Sequence, residues 1–420
     1  MIEDLFQNYL FGQQILMGKI RMGNQVSSKI ASIQPSIFSV ISAKALEIGA
    51  VNLGQGFPDF DCDDVIKQAA KDAIENGHNQ YAPSLGTQSL RNAIAVHESV
   101  FYGLEYNPKE HITITSGATE ALWTTFQAIL NDGDEVIVIE PAYDSYLPAI
   151  EFAGGIYIPC RLTNHNFELD IEQLQSLVTS KTKAILLTNP HNPTGKVFSV
   201  DELTAIMNIA LANSILVICD EVYEHLTYDC KHTPIPTLFS DEAVKRLVVR
   251  ISSLGKTFSV TGWKIGWVIA NEEITSAIRA VHQFIVFSVS TPMQFAAAKA
   301  LTHIIETPEY IQHFAKQLQA KRDVLVGAIQ QMGLQTYIPK GGYFVIADYS
   351  DVFSGTSTEY CHWLLEKMKV ATIPLEPFYQ QNVDIPTAIR FCFCKKDTTI
   401  QQAIANLTTP IPQQIEATLS

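Results

Sequence analysis

The sequence predicts an α/β fold in which a largely parallel sheet lies between helices and a smaller α+β domain follows it. Three observations predict this. Between about Asp64 and Leu301, short apolar, β-branched runs alternate with stretches of helical period. From about Pro308 the pattern changes to a long amphipathic helix and then two strand-like runs. No repeat, low-complexity tract or Gly/Ser linker separates the parts, so packed domains with a cleft between them are expected.

Taken in order, the chain carries no strong chemistry before Asn52, and residues 1–26 read as an extension, with Met17 and Met22 as later starts. Glu135 to Glu140, Lys183 to Thr188, Ile215 to Asp220 and Leu247 to Ser252 read as strands, because continuous Val, Ile and Leu suits burial on both faces of a parallel sheet. The helix from Val200 to Asn213 is entered through Ser199 or Asp201, whose side-chain oxygen can satisfy a free N–H of the first turn. Pro308 to Met332 sets Phe314, Leu318 and Leu325 on one helical face and Lys and Arg on the other. Gly342 to Asp348 and Ala388 to Cys394 read as strands of the second domain.

Composition removes several classes of function. With 420 residues, 47% hydrophobic and 17% charged, the chain is of ordinary globular composition. Its 29 basic and 43 acidic residues leave a net charge of −14, which repels a phosphate backbone and disfavours nucleic acid as a partner. Seven scattered cysteines without a C-x-x-C pair fit reduced thiols in a cytoplasm better than a disulfide framework or a zinc ribbon. No apolar run approaches the ~20 residues of a membrane span, and Glu3 and Asp4 stand where a signal peptide carries base. No metal site is expected.

Four loops carry chemistry. Ser252 to Trp267 follows a strand and holds two lysines among small residues; room around the Lys256 amine suits a depressed pKa and Schiff-base formation, and Ser253 and Lys264 could bind a phosphate. Ser116-Gly117-Ala118-Thr119-Glu120 opens a helix with small residues, leaving N–H groups free for an anion. Asp220 ends an apolar strand at the sheet edge where α/β folds bind ligands, although it could equally cap the following helix. Asn189-Pro190-His191-Asn192-Pro193-Thr194-Gly195 is turn chemistry first, with a buried asparagine amide as the sharper reading. An amine, a phosphate cup, a carboxylate and an amide at one sheet edge suit pyridoxal phosphate. No P-loop, G-x-S-x-G, H-E-x-x-H or G-x-G-x-x-G competes with them.

With these motifs in place the chain resembles the class I aminotransferases, fold-type I enzymes dependent on pyridoxal phosphate, from about Ser27 onward. Asn52 to Phe60, the Pro-His-Asn-Pro-Thr-Gly loop and Gly255 to Ser259 are most similar to the methionine, kynurenine and glutamine aminotransferase branch, and His282 to Pro292 to bacterial methionine aminotransferases. The resemblance implies a mixed central sheet in a large domain over 64–304, and a small domain assembled from 27–63 and 305–420. It implies that Lys256 binds the cofactor covalently and shuttles the proton, that Asp220 pairs with the ring nitrogen, and that Asn192 and Tyr223 bond the phenolic oxygen while Tyr143 stacks on the ring. The phosphate would lie on Gly117, Ala118 and Thr119 with Ser253 and Lys264, and Tyr81 would reach the neighbouring subunit's phosphate in a homodimer. Arg390 would grip the substrate carboxylate with Asn192, and Gly56, Phe57, Phe287 and Tyr343 would line the side-chain end.

The implied reaction is transamination between an L-amino acid and a 2-oxo acid. The matched substrate motifs supply no base for a second carboxylate, so an apolar, sulfur-containing or aromatic donor is expected, with methionine foremost. Two other readings stay open: a carbon–sulfur β-lyase acting on cysteine conjugates, and a non-catalytic aminotransferase-like ligand sensor. Against the last stand the acidic charge and a region before Asn52 too short for a winged helix with its linker.

Overall fold

The computed structural model describes residues 36–163, 166–380 and 385–409; the expected extension over 1–26 lies outside them. In chain order the strands are β1 (Val51–Asn52), β2 (Ile112–Thr115), β3 (Glu135–Glu140), β4 (Ile156–Thr163), β5 (Glu168–Leu169), β6 (Thr182–Thr188), β7 (Leu216–Asp220), β8 (Val248–Ser253) and β9 (Gly266–Ile269). They continue with β10 (Gln335–Tyr337), β11 (Phe344–Asp348), β12 (Val370–Ala371), β13 (Ile373–Pro374) and β14 (Ala388–Cys392).

Eight strands form the central sheet in the order β2-β9-β8-β7-β6-β3-β4-β5. From β8 to β4 neighbours run parallel, whereas β9 lies antiparallel between β2 and β8 and β5 closes the other edge antiparallel to β4. The expected mixed, mostly parallel sheet is what the chain builds. Successive residues of each central strand enter opposite cores, as a strand's period of two requires. Ile185, Leu187, Val217 and Cys219 pack with Leu203, Ile206 and Met207 of the helix Val200–Asn213, while Ala184, Leu186, Ile218 and Val249 pack with Ala121, Leu122 and Phe126 of the helix Gly117–Ile129. At about 1.5–3 kcal/mol for each fully buried large aliphatic side chain, these two faces hold the sheet in register.

The helix Val200–Asn213 begins with a capping box in which Ser199 accepts from the Glu202 N–H and Glu202 accepts from the Ser199 N–H; the candidate cap Asp201 lies inside its first turn. The amphipathic helix spans Glu309–Gln331.

A second, four-stranded antiparallel sheet has the order β10-β11-β14-β13. Leu318, Leu325 and Ile329 of the long helix and Ile400, Ala403 and Leu407 of the helix Asp397–Leu407 share its core. β14 stops at Cys392, two residues short of the expected end, because a tight turn from the Lys395 N–H to the Phe393 carbonyl (2.8 Å) bends the chain away. The N-terminal segment joins this region: β1 pairs in parallel with β12, and the Leu53 carbonyl accepts from the Cys392 N–H at 2.7 Å. Among the described residues no helix is long and apolar enough to cross a membrane.

Candidate active site

Strand order places the four loops. β6, β7 and β8 are parallel neighbours, so the chain leaving each of them emerges at one sheet edge: Asn189 after β6, Asp220 at the end of β7, and Ser253 with Lys256 after β8. β2 brings the start of the helix Gly117–Ile129 to the same edge from the far side of β9.

The Lys256 amine is half-buried and donates to the Gly56 carbonyl at 2.8 Å. It stands over the rings of Tyr223 and Tyr343, 5.5 and 5.6 Å from their centroids. Desolvation lowers its pKa from the ordinary lysine value. Asp220 is buried; its Oδ2 accepts from the Tyr146 hydroxyl at 2.7 Å, and burial pushes its carboxyl up to about 6 against the pull of that bond. Tyr223, fully within the core, meets the Tyr343 ring edge-on at 5.3 Å. Tyr143 packs edge-on against Tyr146 at 5.7 Å, and burial pushes its phenol up to about 12.

Arg390, on β14, is 2% exposed. One terminal nitrogen donates to the Asn192 side-chain oxygen at 2.9 Å and the other to the Gly54 carbonyl at 3.0 Å, while the guanidinium lies 3.8 Å from the centre of the Phe344 ring. Its Nε is buried with no protein partner. Burial lowers its pKa to about 10.

The phosphate-cup residues come together through two glycines. Gly117 opens its helix at φ +73°, and a Cβ there would lie 3.0 Å from the Lys264 Nζ. Gly266 of β9, in register with Ser253 of β8, lets the strand pass under the helix start; a Cβ on it would meet the Gly117 carbonyl carbon at 2.5 Å and the Ala118 nitrogen at 2.7 Å. Ser253, Ala118, Thr119 and Lys264 therefore surround one helix N-terminus.

Residues 48–407 match the family described as aminotransferase class I and II. This chain belongs to that family. Aminotransferases of class I depend on pyridoxal phosphate and use amino acids and 2-oxo acids as substrates. A probable N-succinyldiaminopimelate aminotransferase of Mycobacterium tuberculosis is 38% identical, over 91% of this chain and 97% of its own. The Escherichia coli methionine aminotransferase is 37% identical, over 90% and 97%. A solved E. coli structure with methionine aminotransferase function superposes with a TM-score of 0.86 at 37% identity, covering 91% of this chain and 98% of that one.

The residues present fit the aminotransferase cofactor. A buried carboxylate, a desolvated amine and a helix start of small residues beside a second amine suit its ring nitrogen, aldehyde and phosphate. The orphaned Arg390 Nε, on a guanidinium whose terminal nitrogens are anchored to Asn192 and Gly54, leaves donor capacity for a carboxylate partner.

Of the remaining expected residues, Tyr81, Phe287 and Phe57 lie on the surface, whereas Tyr343 lies against Lys256. Tyr81 is 82% exposed and packs edge-on against Phe287, itself 57% exposed, at 5.2 Å. Phe57 lies on the surface with the Lys395 ammonium 4.7 Å from its ring centre. Tyr343 is wholly buried behind Lys256 and donates its hydroxyl to that residue's carbonyl.

Sequence reasoning missed two layers behind these groups. Tyr146 bridges Thr188 (2.6 Å) and Asp220, and a lone tyrosine in a helix gives no sign of it beyond standing three residues after Tyr143. Arg250, one turn of strand before Ser253, pairs with Glu98, Glu221 and Glu224 in the interior. A charged residue in the otherwise apolar run Leu247 to Ile251 was the available signal.

Proposed function

We propose that this aminotransferase takes an apolar, sulfur-containing or aromatic L-amino acid, methionine foremost, as amino donor. Bound pyridoxal phosphate supplies the aldehyde that accepts the amine and the ring that withdraws electrons from the substrate Cα. Lys256 holds the cofactor and then moves the proton at Cα; its low-pKa amine, drawn up between Tyr223 and Tyr343, is the observation that carries the reading. Asp220, with Tyr146 behind it, pairs with the ring nitrogen. Asn192 and Tyr223 bond the phenolic oxygen and Tyr143 stacks on the ring. Gly117, Ala118, Thr119, Ser253 and Lys264 receive the phosphate.

Arg390 binds the substrate carboxylate, oriented by Asn192 and the Gly54 carbonyl. Gly56, Phe57, Phe287 and Tyr343 form the side-chain end. The exposed pair Tyr81 and Phe287 supports a homodimer in which both serve the partner's site. The large domain over 64–304, the small domain over 27–63 and 305–420, and a cytoplasmic location complete the proposal.

A donor panel tests the substrate class. Methionine, phenylalanine, tyrosine, kynurenine, glutamine, aspartate and an N-succinylated diaminopimelate are each mixed with the holoenzyme, and the change in cofactor absorbance is followed. Methionine and the aromatic donors should react fastest. Preference for aspartate or for the succinylated donor would overturn the assignment.

A further inference from the structure

His282 occupies an unusual position among the buried polar groups. It sits near the end of the helix Glu272–Ile285, is 0% exposed, and both of its ring nitrogens face acceptors. Nδ1 lies 2.6 Å from the Glu120 Oε1 and Nε2 lies 2.8 Å from the Ser84 carbonyl oxygen. A carbonyl can only accept, and the other Glu120 oxygen accepts from the Ser116 N–H, which favours the ionised carboxylate. With Glu120 ionised, both imidazole nitrogens carry hydrogen and His282 is an imidazolium.

Its two partners lie in functionally charged places. Glu120 is in the first turn of the helix Gly117–Ile129, where an uncompensated carboxylate would oppose an incoming phosphate. Ser84 ends the segment that carries Tyr81. The same segment hangs from the residues just after His282: the Ser288 hydroxyl donates to the Ala82 carbonyl at 3.0 Å and the Thr291 hydroxyl to the Gln80 carbonyl at 2.6 Å.

We propose that His282 is a positioning residue that, as an imidazolium, neutralises Glu120 and ties the first turn of the helix Gly117–Ile129 to the Tyr81 segment, so that the grip on the cofactor phosphate depends on its second proton. The inference rests on the phosphate lying at that helix start. The other charged group that acts on it is Arg279, one turn earlier on its own helix, and Arg91 on the helix Gln88–Tyr102 acts in turn on Arg279. Arg279 is itself anchored to Thr113 and to the Ile112 carbonyl. Burial lowers the His282 pKa and Arg279 adds to that, but the bond and charge of Glu120 and the Ser84 carbonyl win, and the net shift is upward. The tie is therefore complete below the ordinary histidine range and is lost as pH rises through the raised value.

The test compares pyridoxal phosphate with phosphate-free pyridoxal, each titrated into the full chain stripped of cofactor, from about pH 6 to 9. In wild type the preference for the phosphorylated form should fall as pH rises. His282→Gln should reduce that preference about tenfold at low pH and flatten its pH dependence, and adding Glu120→Gln should restore most of it. An unchanged preference in His282→Gln, or equal losses for both ligands, would overturn the proposal. Should His282→Gln not fold, Glu120→Gln alone carries the test: a flattened profile supports the tie and a wild-type profile refutes it. A wild-type protein that binds the two ligands equally would instead overturn the placement of the phosphate, and the proposal with it.

Discussion

The two sides of the loop Asp220 to Tyr223 differ in how completely their charges are met. On the interior side Arg250 reaches Glu98, Glu221 and Glu224; Glu224 accepts from the hydroxyls of Tyr102 (2.7 Å) and Ser252 (2.5 Å); and His97 meets His225 nitrogen to nitrogen at 2.7 Å. On the reactive side Lys256 holds a single backbone carbonyl and Arg390 keeps an orphaned Nε. Both sides are buried, so burial alone does not separate them. What separates them is where the charges find partners: the interior network pairs Arg250 with three carboxylates, whereas Arg390 keeps a buried donor free that the proposed substrate would use.

Substitutions on each side should separate the two roles, the largest effect first. Lys256→Ala should lower kcat by about 10⁴-fold or more while leaving the melting temperature of the cofactor-free protein near wild type, as steady-state kinetics and calorimetry will show. Arg250→Met strands three interior carboxylates and should destabilise the chain by about 3–5 kcal/mol in denaturant titration. Arg390→Ala should reduce kcat/KM by about 10- to 100-fold with cofactor occupancy retained, because Lys256, Asp220 and the helix start at Gly117 are left in place; loss of bound cofactor instead would put Arg390 on the wrong side of the comparison.

The smallest effect concerns Tyr146, which stands between the two sides. In the proposed site Asp220 would pair with the ring nitrogen as a carboxylate, and its carboxyl is pushed up to about 6 by burial, so cofactor uptake should fall as pH drops through that region. The Tyr146 hydroxyl stabilises the ionised form. Tyr146→Phe should therefore move the fall to higher pH and weaken uptake by less than about tenfold, measured by absorbance titration.

Much of the fold was legible because the central strands are buried on both faces and so read as continuous apolar runs; Glu135 to Glu140 matches β3 residue for residue. The groups of the four loops were legible because each sits at or just beyond the end of such a strand or at a helix start, whereas Arg390, inside β14, was marked only by the resemblance. Glu120 and His282 were not, since 162 positions separate them and neither stands out in its own helix. The resemblance that quoted His282 to Pro292 marked the segment without giving the histidine a task. Tyr146 and the Arg250 network escaped for the same reason: their meaning lies in a partner across the sheet, which periodicity does not encode.

The order β2-β9-β8-β7-β6 also bears on stability. The proposed site draws on segments from Gly56 to Arg390, and the helix start at Gly117 is joined to the chain around Ser253 and Lys256 through β9, which lies between β2 and β8. Even the stretch from Gly117 to Lys264, which holds all four loops and most of the proposed cofactor-binding groups, lacks Gly56 and Arg390. A cofactor that binds only the folded chain stabilises it by mass action, so adding pyridoxal phosphate should raise the melting temperature of the cofactor-free protein.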